Sequence, residues 1–183
     1  MNWIEQLKTK IGRLILQRNL PKAKQQVHAI PHFSDLHEVG IIYNANSKEN
    51  EEQINQIAHF LREQGKKVWM MGYVDAKTLP ANKKFHISSE YFWKEKLSFF
   101  NLPEPSKIGN FITHKFDLVL NLYLESELPL QALSTYCQSA YSMGAQLPNG
   151  LSYNDSIIDI GSDKNIQNLA AQMVHYLKVI NQK

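Results

Sequence analysis

Nine residues, F-D-L-V-L-N-L-Y-L from Phe116 to Leu124, constrain the fold more than any other stretch. Phe116, Leu118, Leu120, Leu122 and Leu124 are all apolar, while Asp117, Val119, Asn121 and Tyr123 between them are mixed. A period of two is the period of a strand. A strand with one wholly apolar face and one half-apolar face suits a sheet covered on both sides. Such a strand needs helical layers above and below it, and the rest of the chain must supply them.

It does so in alternation. V-G-I-I-Y-N (Val39–Asn44) reads as a strand, and Ile54, Ile57, Ala58 and Leu61 mark one face of a following helix. Asn46, with Glu49 three residues on, predicts the start of that helix; Gly65 predicts its stop. K-V-W-M-M-G-Y (Lys67–Tyr73) is the next strand, which completes a β-α-β unit. Residues 75–114 are less regular. A strand is expected at Phe85–Ser89, then a packed aromatic loop with a helical turn. After the strong strand a helix is predicted from Glu127 to Ser139, with Pro129 in its first turn. Ala140–Ala145 and Ser156–Gly161 read as strands. Ser162 or Asp163 is the predicted cap of a last helix, whose stripe is Ile166, Leu169, Ala170, Met173, Leu177 and Ile180. The alternation predicts a single three-layer α/β/α sandwich over residues 25–183, with a mainly parallel sheet. An amphipathic helix precedes it over residues 2–20, with Trp3, Ile4, Leu7, Ile11, Leu14 and Ile15 at helical spacing and Pro21 as its stop.

Phe116–Leu122, Met143–Gly144, Tyr153–Asp159 and His175–Leu177 together resemble a family of small uncharacterised bacterial proteins, known only as a domain of unknown function. The resemblance covers roughly the last 150 residues. It implies the α/β arrangement but no activity. Two positions depart from that family's pattern. Ser142 stands where an arginine is usual, and Asn154-Asp155-Ser156 follows Tyr153 where an aspartate usually adjoins the tyrosine. Either departure weakens any site those residues would form. A looser likeness joins the Phe116 strand to the first half of heptosyltransferase-type glycosyltransferases. By that likeness the chain would be half an enzyme, without the donor-binding domain.

Charge is unevenly placed. Residues 1–24 hold six basic residues against Glu5 alone, and the remaining chain holds fourteen basic against sixteen acidic. That makes residues 1–24 a basic helical arm. Lys8, Lys10 and Arg13 on it are candidates for docking to an anionic surface, either a membrane leaflet or RNA. A protein partner or a homodimer contact is the competing use, and simple packing against the domain is the plain one. A single cysteine, Cys137, excludes an internal disulfide and a cysteine-based zinc cluster, and points to a reducing cytoplasm. No apolar run approaches the ~20 residues of a spanning helix, and Arg13 interrupts the only leader-like stretch.

In open α/β sheets ligands sit at the carboxyl ends of the strands. Those ends supply Asn44, Asn46, Asn121, Glu125 and Asp159 as candidate ligand-binding residues. Alternation places Asn121 and Glu125 on one side if the strand runs that far. The plain alternative makes Asn46, Glu127 and Ser162 helix caps and Asn121 a loop tether. A-N-S-K-E-N after the first strand has no glycine, so it is neither a P-loop nor a dinucleotide turn, and no cofactor is expected. His28 and His32 have metal-ligand spacing, but Pro31 between them breaks the helix that spacing needs, so no metal is expected. The sequence therefore favours a binding or interaction module. The alternative is an enzyme acting on a sugar or nucleotide-type ligand at the strand ends.

Overall fold

A computed structural model of the chain describes residues 3–18, 28–148 and 153–180. Pro21, Lys22 and Lys24 lie outside these residues. Six strands, β1 (Glu38–Asn44), β2 (Lys67–Val74), β3 (Ser89–Trp93), β4 (Lys115–Leu122), β5 (Gln138–Ala145) and β6 (Ser156–Ile158), form one sheet in the order β3-β2-β1-β4-β5-β6. Every neighbouring pair is parallel. Among the described residues the helices are α1 (Trp3–Arg18), α2 (Lys48–Glu63), α3 (Leu128–Tyr136) and α4 (Ile166–Val179); α2, α3 and α4 pack on the sheet. α2 links β1 to β2 and packs with α4, whereas α3 links β4 to β5 and packs with α1. This is the α/β sandwich that the alternation predicts.

The core follows from the strand patterns. β1 and β4 are central and register Ile41 opposite Leu120 and Ile42 opposite Asn121. Phe116, Leu118, Leu120 and Leu122 are buried on one face, and Val119 is buried on the other. On α2 the buried residues are Ile54, Ile57, Ala58 and Leu61, as its spacing predicts. Gly65 ends the helix at φ +78°, a conformation that favours glycine. At the amino ends of the central strands, Asp117 Oδ2 accepts the backbone N–H groups of His37 (2.8 Å) and Glu38 (2.9 Å), tying the entry of β1 to β4.

Several boundaries differ from expectation. β4 stops at Leu122, so Glu125 lies in a loop and does not share a strand face with Asn121. Phe85–Ser89 is a reverse turn in which His86 and Ser89 exchange two backbone hydrogen bonds. The strand beyond it takes Tyr91, Phe92 and Trp93, expected in a loop, because Phe92 is needed inside. α3 ends at Tyr136 since β5 already begins at Gln138, and Cys137 is buried at the junction. β6 has three residues and Ile180 is exposed.

α1 sits on the domain through a different face from its most apolar one. Gly12 and Leu16 are buried, and Leu16 packs with Leu102, Leu128 and Ala132. The approach at Gly12 is close. A β-carbon there would lie 2.2 Å from Phe100 O and 2.8 Å from Leu128 Cδ2.

Candidate functional site

The connections leaving β1 and β4 run in opposite directions, one to β2 and the other to β5. Nothing from the sheet fills the gap between their carboxyl ends, and in open α/β sheets such a reversal of strand order is where ligands bind. A cleft of about 340 Å³ lies there. Asn44 from the end of β1 forms its floor with Tyr123. Glu49, Asn50 and Gln53 from the first turns of α2 form one wall, and Glu125 and Glu127 from the β4–α3 loop form another. Lys164, just ahead of α4, stands at the rim.

Glu127 is the chemically distinctive member. It occupies the residue before α3, but its side chain caps nothing. Its carboxylate instead accepts a short hydrogen bond from Asn44 Nδ2 across the cleft floor. Burial pushes the Glu127 carboxyl up from 4.5 to about 7, with the negative charges of Glu125 and Asp75 acting the same way against the Asn44 hydrogen bond. A carboxyl in that range exchanges its proton near neutrality and serves equally as a hydrogen-bond donor or acceptor. Its loop is braced from beneath. Arg13 Nη2 donates to Ser126 O (3.2 Å) and to Ser126 Oγ (3.1 Å), and Gln131 Nε2 donates to the same Oγ (3.3 Å).

Of the residues singled out from the sequence, the structure brings Asn44 and Glu125 into this cleft. Asn46 is beside it but faces away: its Oδ1 accepts Asp75 N (2.6 Å) and its N–H donates to Asn44 Oδ1 (2.9 Å), so it joins the β1 and β2 exits. It does not cap α2. Ser47 does, accepting Asn50 N at 3.0 Å. Asn121 is 1% exposed and turned toward β5. Its Nδ2 donates to Asn154 Oδ1 (2.6 Å) and Met143 O (3.3 Å), and its Oδ1 meets no donor among the described residues. Asp159 accepts Gly161 N (2.9 Å) and lines a separate depression beside β6. Asn165, not Ser162 or Asp163, caps α4 through Gln167 N.

Sequence alone leaves Glu127 between a strand-end carboxylate and a helix cap, and it does not single out Glu49, Asn50, Gln53 and Lys164 as site residues. The signal for Glu127 was present in E-S-E-L-P: a glutamate placed directly before a helix that opens with Leu-Pro, two residues after another glutamate. The α2 and Lys164 contributions depend on which elements meet over β1 and β4, which one sequence does not reveal.

The two positions that depart from the family pattern form a clasp of their own. Asp155 Oδ2 accepts Ser142 N (2.7 Å) and Ser142 Oγ (2.6 Å), while Asp155 Oδ1 pairs with His28 Nδ1 at 2.8 Å. This joins the β6 entry to β5 and to the segment before β1, away from the cleft. His32 Nδ1 meets Ser34 Oγ at 2.6 Å, so the two histidines have separate partners. On α1, Lys8 pairs with Glu5 at 2.8 Å and lies over the Phe99 ring, and Arg13 is committed to Ser126, which leaves Lys10 exposed. No group of three metal-ligating side chains occurs among the described residues. No helix among them is long and apolar enough to cross a membrane.

The model of a family of unknown function, DUF6913, matches residues 8–180. No curated protein matches the chain.

Proposed function

We propose, for a chain that belongs to the DUF6913 family of unknown function, that it is a Rossmann-like cytoplasmic binding domain for a small, uncharged, hydroxyl-rich ligand of sugar type, held in the β1/β4 cleft. The observation that carries the reading is Glu127, half-buried in the cleft, hydrogen-bonded to Asn44, and poised to give or take a proton. A sugar presents hydroxyls that both donate and accept, which suits a carboxyl able to do either. Phosphate-bearing ligands suit the cleft poorly. Glu49, Glu125 and Glu127 face it against Lys164 alone. The helix N-termini that would otherwise attract an anion are already capped by Ser47 and Asn165. The turn after β1 also lacks the glycines that let a diphosphate approach the backbone. The placement in the cytoplasm rests on the single cysteine.

Thermal-shift titration tests this. Neutral monosaccharides and disaccharides are compared with sugar phosphates and nucleotides. A neutral sugar at a hundredfold excess over its dissociation constant stabilises the fold by about 2.7 kcal/mol. Glu125→Ala and Glu127→Ala, which remove the two carboxyls of the β4–α3 loop, lower that shift relative to the parent. Stabilisation by phosphate-bearing ligands only, or a shift that both variants retain, contradicts the reading.

A second reading, enzymatic, is favoured by the raised Glu127 carboxyl, since a general acid or base works best near the operating pH. Here Glu127 would pass a proton to or from a sugar oxygen. Under this reading turnover of a bound sugar has a limb near pH 7 that disappears in Glu127→Gln, while binding persists. Binding without turnover leaves the module as the function.

A further inference from the structure

The side of α1 that packs on the domain leaves its most apolar side in solvent. Trp3 is 70% exposed, Leu7 49%, Leu14 56% and Ile4 41%. With Lys10 and Arg18, both exposed, Trp3, Leu7 and Leu14 recur at spacings of three and four and make one continuous helical face. Solvation explains a polar outer face, and packing explains an inner apolar one. Neither explains a helix whose Trp3, Leu7 and Leu14 point outward while the residues it buries against the protein are Gly12 and Leu16.

We propose that this face of α1 lies in the interface of an anionic lipid bilayer, with Trp3, Leu7 and Leu14 at the boundary of the acyl chains and Lys10 and Arg18 reaching to the headgroups. The chemistry matches an in-plane amphipathic helix: a tryptophan, which favours the headgroup level, apolar residues along one face, and cations whose long stems let their charges snorkel outward. Charge complementarity selects the occupant. Residues 1–24 carry six of the chain's twenty basic residues and one of its acidic ones. A second copy meeting this face would bring Lys10 and Arg18 toward their own counterparts, which disfavours a homodimer through α1. RNA is disfavoured because the face is led by apolar side chains, and Lys8 and Arg13 are engaged with Glu5 and Ser126; nucleic-acid binding draws on many cations free to neutralise phosphates. Docking residues therefore differ from those the sequence suggests. Of Lys8, Lys10 and Arg13, Lys10 alone is on the outward face, and the apolar members matter as much as the charge. Arg13 runs from this helix to the loop that carries Glu127, so the docked helix and the cleft share a support.

Cosedimentation of the whole protein with phosphatidylcholine vesicles, with and without phosphatidylglycerol, tests the proposal. Partitioning onto the phosphatidylglycerol vesicles is expected, weakening as salt rises. Leu7→Gln combined with Leu14→Gln lowers it roughly tenfold or more. Lys10→Gln combined with Arg18→Gln lowers it by a similar order on the anionic vesicles only. All four positions are exposed, so the melting temperature of each variant stays that of the parent. Absence of binding to phosphatidylglycerol vesicles at low salt, or binding that survives the leucine substitutions, overturns the proposal. So does a dimer in sedimentation velocity that those substitutions dissociate, which would assign the face to a second copy. Retention on RNA but not on vesicles overturns it as well.

Discussion

Glu127 shows how one side chain couples stability to pH in a sign opposite to most carboxylates. Its folded-state value of about 7 lies above its ordinary 4.5. Between those values the folded protein binds more protons than the unfolded chain, so its contribution is complete below about 4.5 and lost as pH rises through about 7. Glu127→Gln keeps the acceptor for Asn44 but cannot ionise. The variant should match the parent in chemical denaturation at low pH and exceed it above pH 7 by on the order of 1 kcal/mol. A variant no more stable than the parent above pH 7 would mean that Glu127 is ionised without cost. Ser47 offers a second residue-scale check. Ser47→Ala should cost about 1 kcal/mol through loss of the α2 cap. Asn46→Ala leaves that cap intact and should loosen only the tie to Asp75.

Among the elements, α1 gives the sharpest prediction because two effects oppose each other there. Replacing a mid-helix glycine by alanine normally stabilises a helix by ~1 kcal/mol. At Gly12 the added carbon would meet Phe100 O at 2.2 Å, a backbone atom that cannot swing aside. Gly12→Ala should therefore destabilise the protein by roughly 1–3 kcal/mol, read from chemical denaturation. Stabilisation instead would mean that α1 does not rest on residues 98–102. The same helix marks a limit of sequence reading. Ile4, Leu7, Ile11 and Leu14 give α1 a clear amphipathic pattern, yet the surface that docks is set by Gly12 and Leu16. A glycine carries no hydrophobic signal, and only the tertiary neighbour Phe100 reveals why it is there. α2, and α4 as far as Leu177, bury the stripes their spacing predicts, whereas Ile180 falls past the end of α4 and is exposed.

At the scale of the whole molecule, the alternating pattern is enough for the layered fold, since a strand such as Phe116–Leu122, with one apolar and one half-apolar face, has few ways to be covered. Strand order was not readable. Nothing in V-G-I-I-Y-N or F-D-L-V-L-N-L states that these two strands are neighbours, and the cleft exists because they are. Asn44 and Glu125 were legible as strand-end polar residues. Asn121 lies on β4 and tethers Asn154, as the plain alternative has it, and a buried asparagine in that role has the same sequence signature as one facing a ligand. Glu127 acquires its character from burial in the cleft, and its hydrogen-bond partner Asn44 stands 83 positions earlier, a distance only the sheet closes.

The ligand proposed for the cleft between the carboxyl ends of β1 and β4 is uncharged and rich in hydroxyls. Amide and side-chain amide chemical shifts of ¹⁵N-labelled protein, titrated with a panel of neutral sugars and with phosphate-bearing counterparts, test it most directly. A neutral sugar should give saturable shifts at the Asn44 side-chain amide and at Glu49, Asn50, Glu125 and Glu127, lost in Asn44→Ala. Shifts gathered instead around His28, Asp117 and Cys137 at the opposite ends of the strands, or elicited only by phosphate-bearing ligands, would contradict it.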